Sequence, residues 1–140
     1  MNLSPAEALG RLRSADHGAL STLHPDRGVD SVPAVFAVIG DLLGIPVDEV
    51  KPKASTRLRR ETNLEIDPRA TLLVEKWDAS DWSRLWWARA ELSFLIDPND
   101  RDVESLSAEL EKRYPQYAGR PFAKVLVFRI TGTSGWSAEG

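Results

Sequence analysis

The most regular alternation of apolar and polar positions lies between Leu85 and Ile96. There Trp86, Ala88, Ala90, Leu92, Phe94 and Ile96 fall on one side, with Arg89, Glu91 and Ser93 on the other. A period of two sustained over a dozen residues predicts a strand with one face in a core. Residues 18–23, 42–47 and 69–77 carry the β-branched and apolar content of further strands. Residues 29–39 read as another, with Pro33 marking an edge or a bulge. Pro25-Asp26-Arg27-Gly28 is a turn and Gly40-Asp41 a two-residue hairpin signal, so the first three strands are expected to form an antiparallel meander. The last long strand is predicted over residues 124–131, with Val125 and Val127 on one face and Leu126, Phe128 and Ile130 on the other. Two apolar faces imply burial on both sides, as in a barrel wall that also meets a partner.

Helices are signalled at three places. Ser4-Pro5-Ala6-Glu7 places a capping serine, a proline at the first helical position and a glutamate able to close a capping box, which predicts a helix to about Ser14 with Leu9 and Leu12 as its stripe. Ser55 or Thr56 is placed to cap a second helix running to about Asn63, before the Asp67-Pro68 break. The Asp78-Ala79-Ser80-Asp81 turn separates the fourth strand from the alternating one, and Asp97-Pro98-Asn99-Asp100 closes the latter. Val103, Leu106 and Leu110 then have helical spacing, with Pro115 just beyond. About six strands with three helices at the rim predict a mainly β (α+β) fold, a small closed or split antiparallel barrel. The 140 residues fit one domain, 1–140, long enough to bury roughly two thirds of the unfolded surface.

Composition narrows the setting. A net charge of -3 argues against general affinity for nucleic acid. The absence of cysteine rules out disulfides and suits a cytoplasmic protein. Residues 1–7 lack the basic-then-apolar order of a secretory signal, and no apolar run approaches the roughly 20 residues needed to span a bilayer, so no membrane role is expected.

Against the acidic whole, Lys51, Lys53, Arg57, Arg59 and Arg60 crowd into ten positions just after a strand. Pro52 fixes its own φ and extends Lys51, and a helix start beside two lysines suits an anion such as phosphate. Arg57 and Arg60 share a helix face and Arg59 points elsewhere. The alternative is a solvated basic helix paired with Glu49, Glu61 and Glu65.

Other chemistry is thin. His17 and His24 have no cysteine or spaced histidine to complete a zinc site, and both read as turn or strand-end residues. No dinucleotide fingerprint or P-loop occurs, Ser21 and Ser31 have no nucleophile-elbow context, and Asp78 and Asp81 read as turn residues. Tyr114 and Tyr117, the only phenols, read as structural, so no catalytic residue stands out. Five tryptophans are many for this length, and adjacent Trp86 and Trp87 must face opposite sides of their strand. One is expected in the core; the other meets protein or forms an aromatic wall for a planar ring.

Several ordered blocks resemble a known group: Ala19-Leu20-Ser21-Thr22-Leu23, Val32-Pro33-Ala34-Val35-Phe36-Ala37, Val47-Asp48 then Lys51-Pro52-Lys53, Leu58-Arg59-Arg60 then Asn63, Asp67-Pro68-Arg69, and residues 81–90, DWSRLWWARA. Over residues 17–92 the chain is similar to the pyridoxamine 5'-phosphate oxidase-like split β-barrel superfamily. More narrowly, it resembles the branch of deazaflavin (coenzyme F420)-dependent enzymes. The resemblance implies an FMN-binding split-barrel type of fold, a homodimer, and cofactor sites at the subunit interface. It places the cofactor phosphate at Lys51, Lys53, Arg57 and Arg60, and the ring against the strands of Val35 and Val47, bordered by Trp86 and Trp87 from the partner subunit. The expected activity is hydride transfer between bound coenzyme F420 and a small organic acceptor. FMN in the same fold, or cofactor binding without catalysis, are the alternatives.

Three departures from the family pattern stand out. Glu49 and Val50 add a residue before Lys51, Asp30 replaces a frequent histidine, and Glu91-Leu92 replaces an acidic-glycine pair.

Overall fold

The computed structural model of the chain describes residues 1–48 and 59–139. Lys51, Lys53 and Arg57, the capping residues Ser55 and Thr56, and the Glu49-Val50 insertion lie outside the described residues. In chain order the elements are α1 (Pro5–Ser14), β1 (Gly18–His24), β2 (Gly28–Ala34), β3 (Ala37–Ile39), β4 (Leu42–Asp48), α2 (Arg59–Ile66), β5 (Arg69–Lys76), β6 (Trp86–Phe94), α3 (Asp100–Arg113) and β7 (Phe122–Ser137). Short 3-10 turns at Trp82–Arg84 and Pro115–Tyr117 precede β6 and β7.

All seven strands belong to one antiparallel sheet in the order β2-β1-β5-β6-β7-β4-β3. The expected three-strand meander is therefore corrected: β2 pairs only with β1, and the chain breaks at Val35 and Phe36 before β3 pairs with β4 at the far edge. Pro33 explains the break, because it has no amide hydrogen for a further ladder and sits in the edge strand β2. The sheet nonetheless closes on itself. Leu20, Leu72, Val74, Ala88, Ala90, Leu92, Phe128, Leu43, Ile45 and Val47, from five strands, share one core with Leu12 of α1 and Leu64 of α2. An antiparallel sheet that wraps one core while leaving its two edges unjoined is a split barrel.

The capping box of α1 forms as the sequence predicts: the Glu7 amide donates to Ser4 Oγ at 3.1 Å and the Ser4 amide to Glu7 Oε1 at 2.9 Å. These bonds hold the Glu7 carboxyl below the usual range. Ala8 and Leu12 form its buried stripe, while Leu9 is only partly covered.

β7 is the longest strand and joins the two halves of the barrel, pairing first with β4 and then with β6. Its two apolar faces are both covered within the chain: Leu126 and Phe128 enter the barrel core, and Val125 and Val127 pack with Leu106 and Leu110 of α3. No partner is needed to explain them. α3 comes so close to β4 that a Cβ at Gly44 would meet Val125 Cγ1 at 3.0 Å and Leu106 Cβ at 3.1 Å.

β7 also runs six residues past its expected end at 131. Within the extension Gly135 allows close packing, since a Cβ there would lie 2.7 Å from the Trp87 carbonyl oxygen and 2.9 Å from Leu3 Cδ1. Leu3 fills the space, and its amide donates to the Gly135 carbonyl at 3.0 Å. On β6, Ile96 lies beyond the strand and is exposed rather than in the alternating core row.

Candidate functional site

Asp48, Arg60, Glu61 and Lys124 bring charge to the mouth of the barrel at the end of β4. β4 carries the run Leu42–Val47 inward and then emerges at Asp48. Its edge away from β7 pairs with β3 only from Leu42 to Gly44, so among the described residues the backbone from Ile45 to Asp48 has no ladder on that side. Val35 lies in the break between β2 and β3, partly covered. Val47 is buried in the barrel core, so this strand can meet a ligand through its backbone and not through the Val47 side chain.

Arg60 stands here, at the start of the described part of α2. Its Nε is buried and has no hydrogen-bond partner among the described residues. Burial lowers its proton affinity from the ordinary arginine value, opposed by the nearby Glu61, Asp48 and Tyr117. The Tyr117 hydroxyl donates to Asp48 Oδ1 at 2.8 Å, and burial together with that bond pushes it up to about 12. Glu61, only 4% exposed, pairs with Lys124 of β7, while its Oε1 is buried without a partner among the described residues. Among the described residues, two cations, Arg60 and Lys124, and two carboxylates, Asp48 and Glu61, balance at this mouth.

The inner face of α2 is held by a buried amide. Asn63, 1% exposed, donates to Thr22 Oγ1 at 3.0 Å and to Asp30 Oδ2 at 2.9 Å, and Arg27 donates to Asp30 Oδ1 at 2.6 Å. These two bonds hold the Asp30 carboxyl below its usual range. Asp30 thus anchors the helix that carries Arg60. Glu65 and Arg59 are exposed on the same helix.

The tryptophans divide as their adjacency requires. Trp86 packs against the barrel core beneath α1, with the Arg11 guanidinium 4.9 Å from its ring centroid. Trp87 faces the outer side of the sheet, paired with Trp136 and with Arg89 5.3 Å from its centroid. A cavity of about 570 Å³ lined by Leu73, Trp77, Leu85, Trp86, Trp87 and Arg89 opens on that face, a volume within the usual range of small-molecule sites. Trp77, in its wall, meets Trp82 with ring centroids 5.8 Å apart and planes tilted by 60°.

Within one chain these features stay apart. Asp48 pairs with Phe122 at the beginning of β7, and Trp86 with Ser137 at its end. α2 leads into the start of β5 at Arg69, whereas Trp86 and Trp87 pair with its end at Lys76 and Glu75.

Other conspicuous residues have structural duties. Asp67 accepts from the Arg69 amide and from both arms of its guanidinium, which fixes the start of β5 and holds Asp67 down to about 2. Asp78 and Asp81 accept from Ser80 and Ser83 in their turn. Ser21 and Ser31 are hydrogen-bonded cross-strand partners. The Tyr114 hydroxyl lies 2.9 Å from the carbonyl oxygens of both Asp16 and Phe36, donates its one proton to one of them, and accepts from the Phe36 amide at 3.3 Å, tying α3 to the strand break. The Glu91-Leu92 step coincides with a register shift against β7, where Thr131 is the extra residue. Tyr117 and the Glu61–Lys124 pair are the site residues that sequence reasoning missed; only the 3-10 turn brings Tyr117 beside a strand more than sixty positions earlier. Among the described residues no cluster of three or more His, Asp or Glu is placed to hold a metal, and no helix is long and apolar enough to cross a membrane.

No family model and no curated protein matches the sequence. Solved structures do match. A FAD-binding protein from Mesorhizobium loti is 15% identical over 96% of this chain and 95% of its own, with a TM-score of 0.71. An FMN-binding protein from Syntrophomonas wolfei is 19% identical over 95% and 88%, with a TM-score of 0.67. A Listeria innocua protein provisionally identified as a pyridoxamine 5'-phosphate oxidase is 14% identical over 91% and 92%, with a TM-score of 0.63. The chain therefore has the split-barrel fold of FMN-binding and pyridoxamine phosphate oxidase-like proteins.

Proposed function

We propose that this split barrel binds a phosphorylated tricyclic redox cofactor of the flavin class and acts as an oxidoreductase on a small organic substrate. The observation that carries the reading is Arg60 Nε, buried near Asp48 at the end of β4 and lacking a partner among the described residues. A buried cation with an unused donor is costly unless an anion completes it, and a cofactor phosphate is an anion of the right kind. Lys51, Lys53 and Arg57, close in sequence, supply the remaining charge in this reading.

FMN and coenzyme F420 both carry a phosphate and a planar ring. The flavin-binding proteins among the structural neighbours favour FMN, and the sequence blocks resembling the deazaflavin branch favour F420. The cofactor, when bound, supplies the carbon or nitrogen that exchanges hydride with the substrate. The protein contributes binding through Arg60, orientation along the β4 edge near Val35, and exclusion of water by an aromatic wall. No side chain is assigned as a proton donor, and a proton comes from solvent or from the substrate.

Because Arg60 and the Trp86–Trp87 pair lie at opposite ends of β7, one chain does not build both walls of such a site. The proposed unit is a homodimer in which Trp86 and Trp87 of one subunit border the ring held at Arg60 of the other.

Fluorescence titration of the protein with FMN and with coenzyme F420, side by side, tests the assignment. Replacing both Lys51 and Arg60 by alanine is expected to weaken binding of the preferred cofactor at least about tenfold, since two charge-assisted contacts are lost. Unchanged affinity would remove the anion site. Tight binding without turnover over a panel of acceptors would instead leave a cofactor-binding protein.

A further inference from the structure

A second group of donors converges on the other side of α2, around His24 at the end of β1. His24 Nδ1 accepts from two backbone amides of the β1–β2 turn, those of Asp26 at 3.0 Å and Arg27 at 3.1 Å. An amide nitrogen donates and never accepts, so Nδ1 carries the ring lone pair and the imidazole proton resides on Nε2. Yet Nε2 is the atom that two guanidinium groups approach: Arg27 Nη1 at 3.1 Å and Arg59 Nη1 at 3.3 Å. Arginine has donors only. Three N–H groups from three side chains thus meet at one point with no acceptor among them.

Such a junction is unfavourable as it stands and is relieved by a small acceptor of negative charge. Space for one is present: a cavity of about 320 Å³ adjoins His24 and Arg59 and is lined further by Pro25, Thr62, Asn63 and Ile66. The frame around it is rigid where it matters. The imidazole is fixed by the turn amides, Arg27 is braced by Asp30 at 2.6 Å, and Asn63 pins α2 to the same Asp30. Asp30 neutralises Arg27, and among the described residues no carboxylate is paired with Arg59 at the cavity.

We infer that His24, Arg27 and Arg59 form a binding site for a small oxyanion, a phosphate or carboxylate group, distinct from the position proposed for the cofactor phosphate at Arg60. Arg59 and Arg60 are consecutive on α2, so their side chains leave the helix about 100° apart and serve different faces.

The test uses the full-length, 15N-labelled chain and the imidazole nitrogen resonances of His24. Without ligand, Nδ1 is expected to show the signal of an unprotonated acceptor and Nε2 that of an N–H; the opposite tautomer would overturn the inference. Inorganic phosphate added at constant ionic strength is expected to shift the Nε2 signal saturably, whereas chloride does not. Succinate is run in parallel: a response to it assigns the site to oxyanions generally, and a response to phosphate alone assigns it to phosphate, both in support. Arg59→Gln is expected to weaken the phosphate response about tenfold, as one charge-assisted contact is removed. Arg60→Gln is expected to leave it intact. A linear, non-saturating response, an unchanged response in Arg59→Gln, or its loss in Arg60→Gln would each overturn the inference, and none of these depends on whether a flavin binds.

Discussion

Individual side chains at the barrel mouth carry charge into places where solvent cannot screen it. Tyr117 is the clearest titratable case. Its hydroxyl is held protonated up to about 12, first by burial and then by the bond to Asp48. A folded-state value raised above the unfolded one of about 10 contributes stability that is fully present below that pH and is lost as pH climbs towards 12. Urea unfolding midpoints are therefore expected to fall between about pH 9.5 and about pH 11.5. In Tyr117→Phe that fall is shallower and not absent, because Tyr114 is also raised, by its own burial. An equally steep fall in the variant would assign the effect elsewhere. Asn63 is the structural counterpart on the same helix. Asn63→Ala leaves Thr22 and Asp30 without their buried donor, and the loss expected from urea unfolding is about 2 kcal/mol.

Elements were legible from the sequence wherever a local cause fixes them. The Ser4–Glu7 capping box, the Gly40-Asp41 hairpin and the alternation along β6 are set by neighbours only a few residues away, and the structure places all three. What the sequence left open depends on distant partners. The passage of β3 and β4 to the far edge of the sheet is decided by the ladder with β7, some eighty residues on, and the extension of β7 to Ser137 depends on Leu3 packing over Gly135. The site divides the same way: Arg60 stands out as local charge, whereas Tyr117 and Lys124 reach it only through tertiary contacts. Gly44 tests how closely α3 must sit on β4. Gly44→Val inserts three carbons where Leu106 and Val125 leave no room, and a destabilisation of about 1–3 kcal/mol is expected from thermal or urea unfolding. Paired with Leu106→Ala, which opens space at that contact, the defect should be partly relieved, a coupling that a double-mutant cycle measures.

At the level of the whole molecule, the outer face of β2, β1, β5 and β6 is a surface that no element among the described residues covers. α1 and α2 close the barrel core and α3 covers β3, β4 and β7. Across β2, β1 and β5 the outward row includes Val29, Leu73 at 39% exposure and, beyond the end of β5, Trp77 at 59%, continuing to Trp87 on β6. Large apolar side chains gathered on one exposed sheet face mark an interaction surface in a soluble fold. If that surface is the seam of the proposed homodimer, Trp87 becomes buried there and the two walls of the cofactor site come from different chains. Leu73→Glu puts a charge at the centre of the row without touching the barrel core, since Leu73 points outward between Ala19 and Arg89. Sedimentation velocity is expected to show the unaltered chain as a dimer and Leu73→Glu shifted to monomer. Its circular dichroism and melting cooperativity should be retained, and its cofactor affinity should fall in parallel with dimer content. A wild-type chain that sediments as a monomer while binding the cofactor at full affinity would place both walls of the site within one subunit, contrary to the separation of Arg60 and Trp87 along β7.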